Sequence, residues 1–460
     1  MKVIKIGGGC LRGKKKIAEI VDLFSTRAAG HIVVVSALYG ITDILIDSMS
    51  IALEDESQIS RIMCRIKNRH LLVARHLIHS AAAMRTFEQN FNKFLVELER
   101  LYYGLNFTQE ITPKINDIVS SFGERLSVCL LSNVMCAKGV KAFYRLPHDI
   151  GIITDGKFGD ATANLKKTKE NVQKTLLPMI KKNQIIFIPG FFGVSERGDI
   201  TTFGRGGSDY SAAVIAMASR AKRLEVWKDV DGYLSVDPKF IPESQLIPEL
   251  SYDEVAELSY FGARILHPRT VEPLRKKRLS IAVKNTLNPG VVGSVITHRR
   301  RVSVPVVKSV AYTTDIGILK VHASGVGARL GILSLVSGAL AENEINIKSV
   351  VTSQTCISLL LALKDLEPGR KVLMGIKPRP FRRLKKINNV ALISVVGEGL
   401  SSKPGIAAKC FTATAGCNVN VEMIAFGPSR VALYFIVQKN HLRRAVAAIH
   451  STFFSSPRYR

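Results

Sequence analysis

"TTFGRGGSDYSAAVIAMA", residues 201–218, sets three glycines, an arginine, a serine and an aspartate directly ahead of a run of alanines and aliphatics. Gly204, Gly206 and Gly207 let the chain turn tightly. Ser208 or Asp209 can then cap a helix whose small residues Ala212, Ala213 and Ala216 allow close packing. The positive end of such a helix favours an anion. Arg205 can hold a carboxylate with a two-pronged geometry that lysine cannot copy, and Asp209, acceptor-only when ionised, can orient a neighbouring lysine. In isolation the same residues serve equally well as a plain cap beside an arginine pointing to solvent.

Upstream of this turn, "KVIKI", "HIVVVSA", "GIITD" and "QIIFIPG" are continuous apolar runs bounded by Gly, Asp or Pro, as expected of strands buried on both faces. Amphipathic stretches separate them, notably over residues 50–110, where apolar residues recur at spacings of three and four. Strand and helix in rotation imply a mostly parallel sheet covered on both sides. The first strand ends in "KIGGGCL": Lys5 supplies a point charge, and Gly7 and Gly8 let backbone N–H groups approach a phosphate, although a simple tight turn would use the same glycines. The second ends in "VVVSALYGITD", with Ser36 and Thr42 at a carboxyl end where open α/β sheets bind ligands, or acting as helix caps. Glu124 in "SFGERLS" is either a surface carboxylate or one turned inward. Downstream, "EVWKDVDGYLSVDPK" (225–239) resembles a calcium loop only superficially, lacking the terminal Glu and the flanking helices, and reads better as an adenosine-contacting loop. "YFGARILHPRT" offers Arg264 and His267, the latter more at home in a structural role.

Beyond about residue 290 the texture changes. "NTLNPGVVGS" is rich in turn residues and marks a domain edge. After it, "GILSLVSGALAENEINIKSVV" from Gly331 and "GIAAKCFTATAGCNVNVEMIA" from Gly405 each place a glycine fifteen residues ahead of an asparagine, Asn346 and Asn420. The two segments thus share one register 74 residues apart, a small βαβ-type module present twice.

The totals bound these readings. A chain of 460 residues exceeds one ordinary core, and 47% apolar with 22% charged residues is the composition of a packed protein. The net charge of +28 attracts anions of many kinds. Its basic clusters, such as "RGKKK" and "THRRR", lack the interleaved aromatics of single-strand binding, and neither nucleic acid nor membrane is expected as a partner. Seven scattered cysteines without a CxxC argue against a disulfide framework or a zinc site, and no metal-ligating residue is assigned. With no secretory signal and no long apolar run, a cytoplasmic location is expected. No G-x4-GK[ST] occurs, and "GVGARLG" misses the dinucleotide fingerprint in its glycine spacing.

Taken in order, KIGGG, VVSALYGITD, GERLS, GRGGSDYSAA, DVDGYLSVDP and YFGARILHP followed by two repeats resemble the aspartate kinases of the amino-acid kinase family with their C-terminal pair of ACT domains. The resemblance covers nearly the whole chain. It implies an α/β fold, an αβα sandwich over a mostly parallel eight-stranded sheet, plus two ferredoxin-like ACT domains. The expected boundaries are 1–290 for the catalytic domain, 305–380 for the first ACT domain and 385–460 for the second. It further implies transfer of the γ-phosphoryl of ATP, with Mg²⁺, to the β-carboxylate of L-aspartate, the first step toward lysine, threonine and methionine. By the same resemblance Lys5 meets the transferring phosphoryl and Gly7 and Gly8 its oxygens. Ser36, Thr42 and Ser208 meet aspartate, Glu124 its ammonium and Arg205 a carboxylate, while Asp209 holds the lysine. Lys228, Asp229, Lys239 and Arg264 fall on the nucleotide side. Gly9, Cys10, Tyr39, Lys228 and Arg264 depart from the usual family residues.

The ACT repeats imply feedback by an end-product amino acid, threonine or lysine, and a homodimer or homotetramer assembled through them. The loop Gly325–Leu330 with Asn346, Ile347, Thr352 and Ser353 is the expected pocket. Lys348 would repel a lysine side chain there, which favours threonine. A glutamate or acetylglutamate kinase, or a non-catalytic amino-acid sensor, is the competing reading.

Overall fold

The buried β-branched runs form the middle of one sheet. The computed structural model describes residues 1–454 except Lys182, Ala263, Arg264, Ser324, Gly325, Gly327, Ala328 and Arg329. Two units emerge. The first gathers Met1–Tyr233, Leu246–Ala256 and Ile265–Arg299, and the rest of the described chain forms the second.

In the first unit the strands are β1 (Val3–Ile6), β2 (His31–Val35), β3 (Lys141–Tyr144), β4 (Gln184–Pro189), β5 (Phe192–Val194), β6 (Ile200–Thr202), β7 (Leu224–Lys228), β8 (Glu249–Ser251), β9 (Ile281–Asn285) and β10 (Val295–Thr297). Eight of them make a sheet in the order β3-β4-β2-β1-β7-β9-β10-β8, and β5 and β6 make a separate hairpin. Every pairing in the sheet is parallel except β9 with β10. This is the mostly parallel sheet expected. "GIITD" is not one of its strands: Gly151, at φ +70°, closes a short helix, and Ile153 and Thr154 make only isolated bridges. Residues 50–110 resolve into the ends and bodies of three helices, Ile41–Glu54, Gln58–Leu77 and Ala81–Thr108. Helix Pro113–Ala137 is buried over most of its length, and with these helices, Phe24 and Trp227 it forms one continuous core.

The chain passes from β1 to β2 on one side and returns to β7 on the other, so β1 stands where the strand order reverses. The carboxyl ends of β1, β2, β4 and β7 therefore open onto the crevice where α/β sheets hold ligands.

The second unit contains two four-stranded antiparallel sheets. Its strands are β11 (Ser309–Thr313), β12 (Gly317–His322), β13 (Ile347–Thr352), β14 (Cys356–Leu361), β15 (Arg383–Ile387), β16 (Val390–Val396), β17 (Val421–Phe426) and β18 (Ala432–Gln438). Their orders are β13-β14-β12-β15 and β11-β16-β18-β17. The repeat is faithful. Helices Ile332–Glu342 and Ile406–Gly416 begin after Gly331 and Gly405 at φ +86° and +85°. Irregularities at Ile347/Ser349 in β13 and Val421/Met423 in β17 match in place.

The strand sets depart from a plain tandem at 305–380 and 385–460. β11 lies in the range expected for the first module but pairs with β16 of the second. With β12 already flanked by β14 and β15, β11 adds instead to the open side of β16. The first module is thus an insertion within the second. Residues 234–245 also join this unit: Val236 bridges Val310, the Ser235 hydroxyl lies 2.9 Å from His450 Nε2, and Phe240 stacks on Tyr312 at 4.4 Å. Among the described residues no helix is long and apolar enough to cross a membrane.

Candidate active site

A cavity of about 590 Å³ opens at the carboxyl ends of the central strands, lined among others by Lys5, Ser36, Thr42, Ser208, Asp209 and Arg205. The turn at 204–207 builds one wall. Gly206, at φ +75°, precedes helix Gly207–Ala218, and the space where its Cβ would stand is filled by His267. No side chain caps this helix. Asp209, in its first turn, instead directs Oδ1 to Lys5 Nζ at 2.5 Å, and Lys228 Nζ approaches Oδ2 at 3.4 Å. Burial alone would raise the Asp209 carboxyl, but the two ammonium groups hold it below its ordinary value. The strand of the first glycine loop and the glycine-paved turn therefore converge, although their residues lie some two hundred positions apart.

Glu124 is the inward carboxylate. It is buried, the Ser208 hydroxyl donates to its Oε1 at 3.3 Å, and its Oε2 lacks a well-aligned donor. Burial pushes its pKa up to about 8, against the pull of the Ala37 backbone, the Ser208 hydroxyl and the Lys5 charge. Gly123 makes the approach possible, since a Cβ there would meet Ala37 Cβ at 2.8 Å and Thr42 Oγ1 at 3.4 Å. Arg205 is exposed and has no ion pair among the described residues. Gly8 adjoins Ser36, and the Asp229 carboxylate comes within 3.4 Å of where a Gly9 Cβ would be. Burial pushes the Cys10 thiol up, against the pull of the Thr286 hydroxyl, so it is not a ready nucleophile.

Not every expected residue gathers here. Lys239 is exposed and belongs to the second unit, because the segment carrying it is held by Val310 and Tyr312. Arg264 lies outside the described residues, as does most of the Gly325–Leu330 loop. Asn346, Thr352 and Ser353 are exposed around β13 with Ile347 partly so, and Asn346 pairs with the Tyr260 hydroxyl. Two positioning residues escaped the sequence reading. Asp117 accepts from Gly159 N–H at 2.9 Å and from Thr202 N–H and Oγ1, both at 2.8 Å. Arg269 donates to Asp160 Oδ1, Phe203 O, Ala161 O and Thr162 Oγ1 at 2.7–3.2 Å and lies over the Tyr210 ring. Together they hold the loop at 159–162, which packs against Gly204. The usable signal for Asp117 was its place two helical turns before Glu124, on the same face.

Residues 1–285 match the amino acid kinase family and residues 393–453 an ACT domain. The chain belongs to the amino acid kinase family. Within it, this kinase is 31% identical to aspartokinase 1, chloroplastic, and 32% identical to aspartokinase 2, chloroplastic, both of Arabidopsis thaliana, over 99% of its own length and 80% and 84% of theirs. Its fold superposes on E. coli aspartokinase III in complex with aspartate and ADP with a TM-score of 0.82 at 25% identity, covering 99% of this chain and 100% of that one. The same protein in complex with lysine and aspartate gives 0.82 at 26%, covering 99% of each chain.

Proposed function

We propose that the chain is an aspartate kinase that transfers the γ-phosphoryl of ATP to the β-carboxylate of L-aspartate, forming 4-phospho-L-aspartate. The observation that carries this reading is the convergence of Lys5, Asp209 and Arg205 on one cavity, with Glu124 bonded to Ser208 of its wall. A substrate with two carboxylates and an ammonium calls for one cation at the rim and one carboxyl within that can ionise against the ammonium, roles that suit Arg205 and Glu124. Its carboxylate is already an adequate nucleophile, so no strong general base is required. The protein's work is to bring two anions into line and to neutralise the charge between them. Lys5, held by Asp209, takes the phosphoryl oxygens with the Gly7 and Gly8 backbone. Ser36, Thr42 and Ser208 take polar substrate groups, and Lys228 and Asp229 the nucleotide side.

Among the described residues no three His, Cys, Asp or Glu side chains gather to cage a cation. The donor set suits Mg²⁺ bound mainly by the nucleotide's own phosphates and water. There it would neutralise phosphate charge.

Regulation follows the same reading. Threonine is the favoured effector, because Lys348, whose ammonium lies 4.9 Å from the Tyr260 ring centre, puts a cation on β13. Exposed Val350 on β13 and Ile424 and Phe426 on β17 suit a homodimer or homotetramer built through these modules. The free cysteines suit a cytoplasmic setting.

The test is ATP consumption with hydroxylamine trapping across a panel of acidic amino acids. Hydroxamate formation with L-aspartate and not with glutamate or acetylglutamate is expected. Equal turnover with glutamate, or none with any, overturns the assignment.

A further inference from the structure

Lys228 ends β7, and its backbone is fixed from both sides. Gly7 N–H donates to the preceding Trp227 carbonyl at 3.0 Å, while the Thr286 N–H and hydroxyl donate to the Lys228 carbonyl at 2.8 and 3.1 Å. From this anchored position the side chain runs past the open side of Gly7, where Lys228 Cγ and Lys5 Nζ are both 3.7 Å from the place a Cβ would occupy. The ammonium ends 3.4 Å from Asp209 Oδ2, with only 18% of the side chain exposed. A residue expected as a contact along the nucleotide thus reaches the carboxylate that holds the phosphoryl lysine.

Two features distinguish the lysines. Lys5 lines the cavity with Ser36, Thr42 and Ser208, whereas Lys228 is absent from that lining and approaches the other oxygen of Asp209. The Lys5 contact is close and the Lys228 contact long, so Lys228 is the partner more easily drawn to a new anion. Two ammonium groups on one carboxylate, next to a Glu124 that is mostly protonated at neutral pH, leave an excess positive charge in a buried place. Asp229, the next carboxylate along the chain, is exposed to solvent beside Gly9. Buried excess charge is costly unless an incoming anion completes it.

We propose that Lys228 is a second cation of the phosphoryl-transfer centre, sharing Asp209 with Lys5 and stabilising the oxygen that leaves with ADP. The proposal rests on the kinase reading above. In the step, a carboxylate oxygen of aspartate forms a bond to the γ-phosphorus as the bond to the β,γ-bridging oxygen breaks. The electron pair stays on that oxygen as part of ADP, and no proton is transferred. Lys5 attends the moving phosphoryl, and Lys228 hydrogen-bonds the oxygen on which charge appears.

The experiment is steady-state kinetics of full-length Lys228→Met beside wild type, with ADP binding measured by calorimetry. kcat is expected to fall roughly 10- to 100-fold, the usual worth of a charge-assisted hydrogen bond. The KM values for aspartate and ATP should each stay within about threefold, while the affinity for ADP, which carries the leaving oxygen with its charge fully developed, should weaken. An unchanged kcat with a raised KM for ATP overturns the proposal and returns Lys228 to a simple nucleotide contact. Should Lys228→Met fail to fold, judged by thermal unfolding, Lys228→Arg carries the test. It keeps the charge but not the compact ammonium, and kcat must still fall with KM for ATP preserved. A wild-type chain that forms no aspartyl hydroxamate refutes the kinase reading and this proposal together, whereas an active wild type with a fully active variant refutes this proposal alone.

Discussion

At the inner end of the cavity Lys5 and Asp209 are already joined, with side chains only 6% and 8% exposed, whereas at the outer end Arg205 is exposed and has no ion pair among the described residues. The inner pair is organised by folding itself: a central strand fixes one partner and a helix start fixes the other. The rim arginine has no such partner among the described residues, which under the proposed reading suits it to an incoming carboxylate. A site divided in this way has its charge-neutralising groups in place before chemistry, and leaves recognition to a side chain that must be recruited.

The contrast can be broken at either end. The largest effect is expected from Lys5→Met, which removes the preorganised cation: kcat should drop about 10²- to 10³-fold, measured as hydroxamate formation at saturating substrates. A drop confined to the KM for ATP would mean that the inner pair is a binding device only. Arg205→Ala should act differently, raising the KM for aspartate roughly ten- to hundredfold with a smaller change in kcat. Arg205→Lys should recover only part of this, because an ammonium cannot make the forked contact. Unchanged aspartate saturation would remove Arg205 from the substrate site.

The smallest expected effect lies between the two ends, at Glu124. With its pKa near 8, the carboxyl is mostly neutral at pH 7 and ionises as the pH rises. The apparent KM for aspartate should therefore fall, by about tenfold at most between pH 7 and 8.5, as the charge that meets the substrate ammonium develops. Glu124→Gln should flatten this profile. Stability moves the opposite way. The folded-state pKa stands above the ordinary 4.5, so the folded chain retains a proton that the unfolded chain loses, and stability declines as pH rises from about 4.5 to about 8 and then levels. Chemical denaturation at several pH values should show the decline in wild type and a shallower one in Glu124→Gln.

Much of the catalytic unit was legible in the sequence because its signals are local. Continuous β-branched runs gave β1, β2 and β4, and glycine-rich turns gave Gly7, Gly8 and Arg205. "GIITD" carried the same local signal but failed as a strand, since a left-handed glycine at its start ends a helix turn and turns the chain aside. What stayed hidden depends on distant partners. Nothing local tells that Asp117 will satisfy Thr202 and Gly159, or that Lys228 will reach Asp209 from a neighbouring strand. The setting of Lys239 was hidden for the same reason: "SVDPK" is continuous with the nucleotide-side loop in sequence, yet Val236 and Phe240 are held by Val310 and Tyr312. The 74-residue repeat revealed two modules but not that one interrupts the other, because which edge β11 finds is a question of vacancy and not of propensity.

That interruption has a practical side. Thr313 of β11 stands opposite Leu392 of β16 in adjacent antiparallel strands, so the chain leaves for the first module and returns from it at neighbouring points. Such a layout makes the inserted piece excisable: a short reverse turn could join the two strands as a hairpin and leave a trimmed regulatory half with its remaining sheet intact.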